Sequence, residues 1–236
     1  MTRKEKVILF AFVSHVVIRS SYEQRACGKI LTGVNFALEG ASDRNAPWVV
    51  SMGIYEGGEY IVQCTGSLVT PDIIVTAAHC LRHFQGQWVV RAGVTDKNAN
   101  WAVEASFKQI SIHPEYSWPQ MYYDVGLALL NESLPLNGSI STLCLPDSPY
   151  DVTTMDGQGV TVQGWGLTTE GGAGENLTEI DVTIRSREEC NYKYQSVSNF
   201  TRNRLIPQQV TEVMFCANNN VNDDVGTCYG GKHSSV

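Results

Sequence analysis

The segment Pro47-Trp-Val-Val-Ser-Met-Gly-Ile54 is a short run of mostly apolar residues, several of them β-branched. A turn signal, Glu56-Gly-Gly-Glu59, separates it from a second run, Tyr60-Ile-Val-Gln-Cys-Thr-Gly-Ser-Leu-Val69. β-Branched and aromatic residues favour extended backbone, and glycines between two such runs favour a tight reversal of the chain. The sequence therefore predicts a β-hairpin over these residues.

Similar runs recur along the chain and predict further strands. They lie at Ile73–Thr76, Gln87–Val94, Val160–Trp165 and Leu177–Ile184. No long stretch keeps the helical apolar period of about 3.6 residues, although Thr76–Phe84 fits one short helix. Many short strands separated by turns predict an all-β protein, either a barrel or a sandwich.

The composition is that of an ordinary globular protein: 236 residues, of which 43% are hydrophobic and 17% charged. These values exclude collagen, coiled coil and a disordered chain. The net charge of −7 argues against a nucleic-acid partner, because binding to phosphates requires a basic surface. The longest apolar run, Val7–Ile18, is interrupted by Ser14 and His15 and is shorter than the roughly 18 residues of a membrane span.

Residues 1–20 have the features of a secretory signal peptide. Arg3, Lys4 and Lys6 form a basic start, and Val7–Val13 is an apolar run. Small residues near position 20 suit cleavage by a signal peptidase. A cytosolic amphipathic start is the alternative, since His15 interrupts the apolar character. We therefore expect a secreted, extracellular protein with no membrane span.

Cysteine spacing agrees with export. Seven cysteines are scattered along the chain rather than grouped in Cys-x-x-Cys pairs, at positions 27, 64, 80, 144, 190, 216 and 228. Scattered cysteines favour disulfides over a zinc site, and an odd number leaves one thiol without an intramolecular partner. Four Asn-x-Ser/Thr sequons are compatible with glycosylation of an exported chain, at Asn131, Asn137, Asn176 and Asn199.

A histidine and an aspartate stand beside predicted strands. Thr76-Ala-Ala-His79-Cys80 follows one strand, and Asp124 opens an apolar run that ends at Leu130. A hydroxyl nucleophile needs an imidazole to accept its proton and a carboxylate to hold the imidazole in the right tautomer. His79 and Asp124 are therefore candidates for two members of an acyl-transfer triad, although a lone histidine is commonly structural or solvated. His79 and His83 have the i,i+4 spacing of a metal pair, but the intervening Glu and a nearby third ligand are missing.

The chain resembles the chymotrypsin-like serine proteases from about Cys27 to Gly230. Asp124 stands in a D-[IV]-x-L segment, with one residue inserted or shifted, where that family has its triad aspartate. The remaining similar motifs follow in the family's order: Cys64-Thr-Gly-Ser-Leu68, Ala77-Ala-His79-Cys80, Cys144-Leu-Pro146, Gly164-Trp-Gly166, Met214-Phe-Cys216-Ala217 and Cys228-Tyr-Gly230.

The resemblance implies an all-β fold of two six-stranded antiparallel barrels of the chymotrypsin type, the second of them incomplete in this sequence. It implies three segments: a signal peptide (1–20), a short propeptide (21–29) and a protease domain lacking its C-terminal part (30–236). It also implies the disulfides of the family, which pair Cys64 with Cys80, Cys190 with Cys216 and Cys27 with Cys144.

The resemblance further implies a secreted serine-type endopeptidase. Such an enzyme hydrolyses protein or peptide substrates with no cofactor and no metal, using His79 as general base and Asp124 to orient it. The backbone N–H of Gly230 would help to form the oxyanion hole. Gly226 would lie at the base of the primary specificity pocket, where a residue without charge favours apolar or aromatic substrates over Lys or Arg.

An activation step follows from the same resemblance. An activating protease would cut between Lys29 and Ile30, and the Cys27–Cys144 bond would keep the propeptide tethered. Ile30-Leu-Thr-Gly33 stands where the family has Ile-Val-Gly-Gly. The freed amine of Ile30 would pair with the Asp that precedes the nucleophile. The alternative is that Lys29-Ile30 belongs to a linker.

The sequence departs from the family after Cys228-Tyr-Gly230. The family continues Asp-Ser-Gly-Gly-Pro, whereas this chain continues Gly231-Lys-His-Ser-Ser-Val236. Lys232 therefore occupies the nucleophile position. Ser234 and Ser235 lie out of register and lack the following glycines that form the turn and the oxyanion donors. We therefore expect the chain as given to be inactive.

Two hypotheses explain the departure. Gly231-Lys232 can be encoded GGT-AAG, which contains the intron start GTAAG, so residues 232–236 would be translated intron from a retained-intron transcript or an incomplete gene model. Splicing would then restore Asp in place of Gly231, and the segment that follows would hold the partner of Cys228. On the other hypothesis, the chain is a non-catalytic secreted protease homologue that acts by binding proteins.

One further run invites a metal interpretation. Asn218-Asn-Asn-Val-Asn-Asp-Asp224 offers oxygen ligands of the kind that calcium prefers. It lacks the central Gly and the closing Glu of an EF-hand loop, and a solvated surface loop is the better interpretation.

Overall fold

A six-stranded closed barrel forms the first half of the fold. The computed structural model describes residues 27–28, 46–82, 84, 87–146, 152–166, 174–193 and 209–218. The barrel strands are β1 (Val49–Glu56), β2 (Glu59–Thr70), β3 (Ile73–Thr76), β4 (Val89–Ala92), β5 (Val103–Ile112) and β6 (Gly126–Leu130). Their order is β1-β2-β3-β6-β5-β4, with β4 paired back to β1 and every pair antiparallel. Closure removes the open sheet edges that would otherwise pair with other chains.

A short helix and a second sheet complete the described fold. The helix α1 (Ala78–Arg82) follows β3, and Val152–Met155 form a 3₁₀ turn. The second sheet has the order β7 (Gly159–Gly164), β8 (Thr178–Arg185) and β9 (Cys216–Asn218), again antiparallel. Residues 187–193 are helical. None of the helices in the described ranges is long and apolar enough to cross a membrane.

The structure confirms the all-β prediction, with one complete barrel and a partial second sheet. The predicted hairpin is β1 and β2, and the strand predicted at Ile73–Thr76 is β3. The helix predicted over Thr76–Phe84 is shorter, because Thr76 still belongs to β3. β5 was not predicted from the sequence, because only Ala105 among its ten residues is buried and no continuous apolar run marks this strand.

The barrel core follows from side-chain alternation along the strands. Fully buried residues from five strands meet inside the barrel, namely Val50, Met52, Leu68, Ile74, Val90 and Ala128. The first five residues of β1 are all buried, so this strand is covered on both faces. One face meets the barrel core, and Val49 on the other packs with Ala46, Trp165 and Leu177.

The second sheet is joined to the barrel through the carbonyl of Thr95. This oxygen accepts the indole N–H of Trp165 at 2.7 Å and the backbone N–H of Leu177 at 2.8 Å. The backbone N–H of Lys97 donates to the carbonyl of Glu175 at 2.9 Å. These bonds fix the position of β8 against the loop that follows β4.

That loop is in turn held by a buried arginine. Arg91 on β4 is only 5% exposed, and its guanidinium donates to the backbone carbonyls of Lys97 and Ala99. Its Nε lies 3.1 Å from a carboxylate oxygen of Glu104. The charge of Arg91 is thereby compensated inside the barrel wall, as a buried charge requires.

Gly126 opens β6 at a close contact between the barrel wall and α1. A Cβ at this position would lie 2.8 Å from Cδ1 of Leu81 on α1 and 2.9 Å from the carbonyl oxygen of Ser111 on β5. Both distances are shorter than a carbon in van der Waals contact tolerates. The absence of a side chain therefore lets α1 pack directly on the start of β6.

We expect Gly126→Ala to lower the free energy of unfolding by about 1–3 kcal/mol, because the added methyl overpacks this contact. Urea denaturation followed by circular dichroism measures the change. Gly159→Ala on β7 is the matched control, since a Cβ there meets no atom within 4 Å. Equal losses in the two variants would contradict this account of Gly126.

Candidate active site

His79 lies on α1, which is anchored on both sides of this residue. Ala78, Cys80 and Leu81 are buried. Cys80 is disulfide-bonded to Cys64 on β2, and Leu81 packs in the barrel core. The side chain of His79 is 13% exposed. The helix is therefore rigidly attached, and it presents the imidazole at the surface of the barrel.

Asp124 reaches His79 because β3 and β6 are neighbours. In their antiparallel ladder, Thr76 at the end of β3 pairs with Gly126 at the start of β6. His79 follows Thr76 by three residues, and Asp124 precedes Gly126 by two. Both side chains thus lie beyond the same end of one strand pair, although they are 45 residues apart in sequence.

The Asp124 carboxylate is bonded twice to His79. One oxygen accepts the backbone N–H of His79 at 2.8 Å, and the other lies in hydrogen-bond contact with Nδ1 of the ring. An ionised carboxylate can only accept, so the tautomer that fits has its proton on Nδ1. Nε2 then carries the lone pair that a general base requires.

The segment that leads into Asp124 has an unusual backbone. Met121 and Tyr123 have positive φ angles of 59° and 52°, although neither is glycine. The N–H of Met121 donates to the carbonyl of Ser117 at 2.7 Å, and the N–H of Ser117 donates to the carbonyl of Tyr122 at 3.1 Å. A left-handed conformation costs an ordinary residue about 1–2 kcal/mol, so other contacts must hold it.

The contact that holds Tyr123 is a ring stack with His113. The two rings are 4.9 Å apart and 7° from parallel. The backbone of His113 is itself fixed, since its N–H donates to the carbonyl of Val125 at 3.1 Å. The N–H of Glu115 donates to Nδ1 of His113 at 3.1 Å, which keeps that ring in place. The residues on both sides of Asp124 are therefore tied to His113.

Arg82, Tyr116 and Trp118 border the His79–Asp124 pair. The guanidinium of Arg82 lies 4.4 Å from the centre of the Trp118 ring, within the range of a cation–π contact. Burial raises the pKa of the Tyr116 phenol, with a further rise from the Asp124 carboxylate and an opposing effect of Arg82. Tyr116 is therefore a neutral hydroxyl near neutral pH.

The donor atoms around His79 do not suit a metal. Atoms of Cys64, His79 and Cys80 lie within 4.8 Å of one another. The two sulfurs, however, are joined in a disulfide, so neither is the thiolate that binds zinc. His83, the second residue of the sequence-based metal pair, lies outside the described residues.

The other predicted site residues divide into two groups. The structure contains the disulfides Cys27–Cys144, Cys64–Cys80 and Cys190–Cys216, and it places Asn131, Asn137 and Asn176 at exposed positions. Outside the described residues lie Lys29, Ile30, Asn199, Gly226, Gly230 and Lys232, together with Cys228, Ser234 and Ser235. The Asn/Asp run 218–224, interpreted above as a solvated surface loop, lies outside as well except for its first residue, Asn218.

The sequence model of the family named Trypsin matches residues 38–231, which include His79, Asp124 and every strand described above. The chain belongs to the trypsin-like serine protease family. The structure agrees, since the trypsin-like family shares the all-β architecture with a closed six-stranded barrel.

Curated relatives in the trypsin family share about three residues in ten with this chain. Clotting factor G beta subunit of Tachypleus tridentatus is 30% identical over 183 residues, 75% of this chain and 57% of that protein. Hypodermin-A of Hypoderma lineatum is 31% identical over 196 residues, 79% of this chain and 70% of its own length. Trypsin of Squalus acanthias is 30% identical over 192 residues, 80% and 70% respectively. The chain thus spans little more than half of the clotting factor subunit.

The residues that surround the His79–Asp124 pair were not predicted from the sequence. Arg82 stands three positions after His79, one helical turn away. Tyr116, Trp118 and Tyr123 lie in an aromatic-rich segment directly before Asp124. That richness was a usable signal, but the positive φ of Tyr123 and its stack on His113 depend on the folded loop.

We expect Tyr123→Val to destabilise the protein more than Tyr123→Gly, by about 1–2 kcal/mol, because valine resists a positive φ whereas glycine does not. Both changes remove the ring stack equally. Urea denaturation gives the stability, and the low-field NMR signal of the Nδ1 proton reports the His79–Asp124 bond. Tyr122→Val, one residue earlier where φ is not positive, is the matched control. Equal stabilities of the Val and Gly variants would contradict the role of backbone strain.

Proposed function

We propose that this chain represents the protease domain of a secreted serine endopeptidase, in which His79 is the general base and Asp124 orients it. The observation that carries the proposal is the pair of hydrogen bonds that the Asp124 carboxylate accepts from His79, which leaves Nε2 as a proton acceptor. Membership of the trypsin family supports the same reaction. The substrates are proteins or peptides, and no cofactor takes part.

The reaction requires a serine hydroxyl next to Nε2 of His79. The serine oxygen attacks the scissile carbonyl while its proton passes to Nε2, and Asp124 stabilises the resulting imidazolium. The imidazolium then donates that proton to the departing amine, which leaves an acyl-enzyme. Water repeats the sequence on the acyl-enzyme and releases the acid. In our proposal Gly230 contributes an N–H to the oxyanion hole, and Gly226 gives the pocket an apolar or aromatic preference.

We further propose that the protein is exported as a zymogen with a signal peptide (1–20), a propeptide (21–29) and a protease domain (30–236). Cleavage between Lys29 and Ile30 by an activating protease would start its activity. The Cys27–Cys144 disulfide and the bond from the N–H of Gly28 to the carbonyl of Thr142, at 2.8 Å, support a tethered propeptide. The sequons at Asn131, Asn137, Asn176 and Asn199 are the proposed glycosylation sites.

The proposed reaction requires a serine nucleophile, which the sequence after Gly230 does not supply in the family's register. We propose that Lys232 stands in the register of the catalytic serine, as the resemblance implies, and that the polypeptide as sequenced is inactive. A transcript in which the codons after Gly230 read Asp-Ser-Gly-Gly-Pro would supply the missing group. The competing proposal is a non-catalytic homologue that binds proteins, and the register of Lys232 is the observation in its favour.

Sequencing of this gene's transcripts from the Cys216 codon to the poly(A) tail is the first test. We expect a spliced product that reads Cys-Tyr-Gly-Asp-Ser-Gly-Gly-Pro across the exon junction. If every transcript encodes Lys-His-Ser-Ser-Val instead, the catalytic proposal is wrong and the homologue remains. A Gly231-Lys232 codon pair without GT in the required phase would also exclude the intron explanation.

An active-site serine phosphonate gives the corresponding test on the protein. We expect it to label the serine-bearing product and not the 236-residue chain. His79→Ala and Asp124→Asn should lower the labelling rate of the serine-bearing product by about three orders of magnitude or more, because the serine is activated only by an oriented imidazole. Labelling that survives His79→Ala would show that another base acts. Lys108→Ala, which changes an exposed residue of β5 outside the proposed site, is the control.

Activation is tested separately by limited digestion with a lysine-specific protease. We expect a new N-terminus at Ile30, with the propeptide still attached until a reductant breaks the Cys27–Cys144 bond. Mass spectrometry with and without reductant measures this attachment. In Cys144→Ser the propeptide should leave without reductant. Release from the unmodified protein before reduction, or a first cut elsewhere, would contradict the proposed activation site.

A further inference from the structure

Arg82 and Trp118 form an exposed cationic shelf beside the His79–Asp124 pair. The Trp118 side chain is 49% exposed, and Arg82 at the end of α1 is exposed as well. Their contact distance of 4.4 Å stacks the guanidinium over the indole. Because Arg82 follows His79 by three residues on one helix, both side chains project from neighbouring positions on the helix surface. The Trp118 loop leads directly to Asp124, so the shelf borders the proposed reaction centre.

Among the described residues, no carboxylate forms an ion pair with Arg82. Within the described part of the chain, the ion pairs are His79–Asp124, Arg91–Glu104 and Lys193–Glu189, and none includes Arg82. The carboxylate of Asp124 is already hydrogen-bonded to His79. Arg82 is thus an exposed cation without an ion-pair partner in the described part of a chain whose net charge is −7.

The geometry of the Arg82–Trp118 shelf suits a carboxylate group. A guanidinium held flat against an aromatic ring keeps its N–H edge in a fixed direction, and that edge matches the two oxygens of a carboxylate. The indole surface beside it suits the methylene groups of a glutamate side chain. We propose that the Arg82–Trp118 shelf binds an acidic residue of the peptide substrate and so contributes to the specificity of the protease. This inference rests on the proposed function and narrows its substrate class.

Peptide binding to the 236-residue chain tests the shelf without the complication of cleavage. The probes are short alanine-based peptides with one central phenylalanine and a single Glu or Gln moved through the remaining positions. The indole N–H signal of Trp118, assigned from its loss in Trp118→Phe, reports binding. We expect one position at which Glu binds about three- to fivefold more tightly than Gln, the range of an exposed ion pair. The preference should decrease between about 20 mM and about 300 mM salt.

Variants of Arg82 identify the source of the preference. Arg82→Gln should remove the difference between Glu and Gln peptides, and Arg82→Lys should keep only part of it, because an ammonium lacks the planar edge. Lys108→Gln, which removes an exposed charge from β5, is the matched control and should leave the preference intact. Circular dichroism confirms that each variant is folded. The proposed role of the shelf is wrong if no position prefers Glu, or if the preference persists in Arg82→Gln.

The outcome is separable from that of the proposed function. Phosphonate labelling of the serine-bearing product depends on His79 and Asp124 and does not require Arg82. An enzyme that is labelled but shows no preference for Glu would retain the proposed function and exclude the shelf. A serine-bearing product that is never labelled but shows an Arg82-dependent preference for Glu would support the Arg82–Trp118 shelf and contradict the proposed protease activity.

Discussion

The antiparallel pairing of β3 with β6 is the constraint on which the proposed site depends. It aligns Thr76 with Gly126, and the chain segments beyond that pair carry His79 and Asp124. Each side of the ladder is fixed independently, since α1 is held by the Cys64–Cys80 disulfide and the Asp124 segment by the stack of Tyr123 on His113. The orientation of His79 thus results from a strand pair rather than from a flexible loop, which is how precise geometry is normally maintained.

The Asp124–His79 contact also shows how the fold compensates a partly buried charge. The Asp124 side chain is 21% exposed, so water satisfies it only in part. Two N–H groups of one residue, in the backbone and in the ring, replace the missing hydration. Losing either bond would leave the carboxylate underbonded, so the electrostatic demand of Asp124 and the orientation of His79 are met by the same atoms.

Much of the fold was predictable because strand alternation and turn residues are local signals. β1, β2, β3, β7 and β8 lie close to the runs that predicted them, whereas β5 was missed because its apolar residues do not form a run. His79 and Asp124 were identified from neighbouring motifs. The shelf residues and the left-handed Tyr123 were not, since a cation–π contact and a positive φ are properties of packed neighbours and not of residue order. The same holds for Thr95, whose role arises from a carbonyl, a group that every residue has.

The sequence by itself determined the class of the fold, the family motifs and the candidate pair His79 and Asp124, because these depend on residue type and short-range spacing. The tertiary structure decided that the carboxylate of Asp124 meets Nδ1 of His79 across 45 residues, and that Arg82 stands over Trp118 without an acidic partner among the described residues. Those contacts require barrel closure, which brings β3 beside β6 and folds the segment before Asp124 against α1. The distance between these residues is set by the pairing of β3 with β6, two strands that are far apart in sequence.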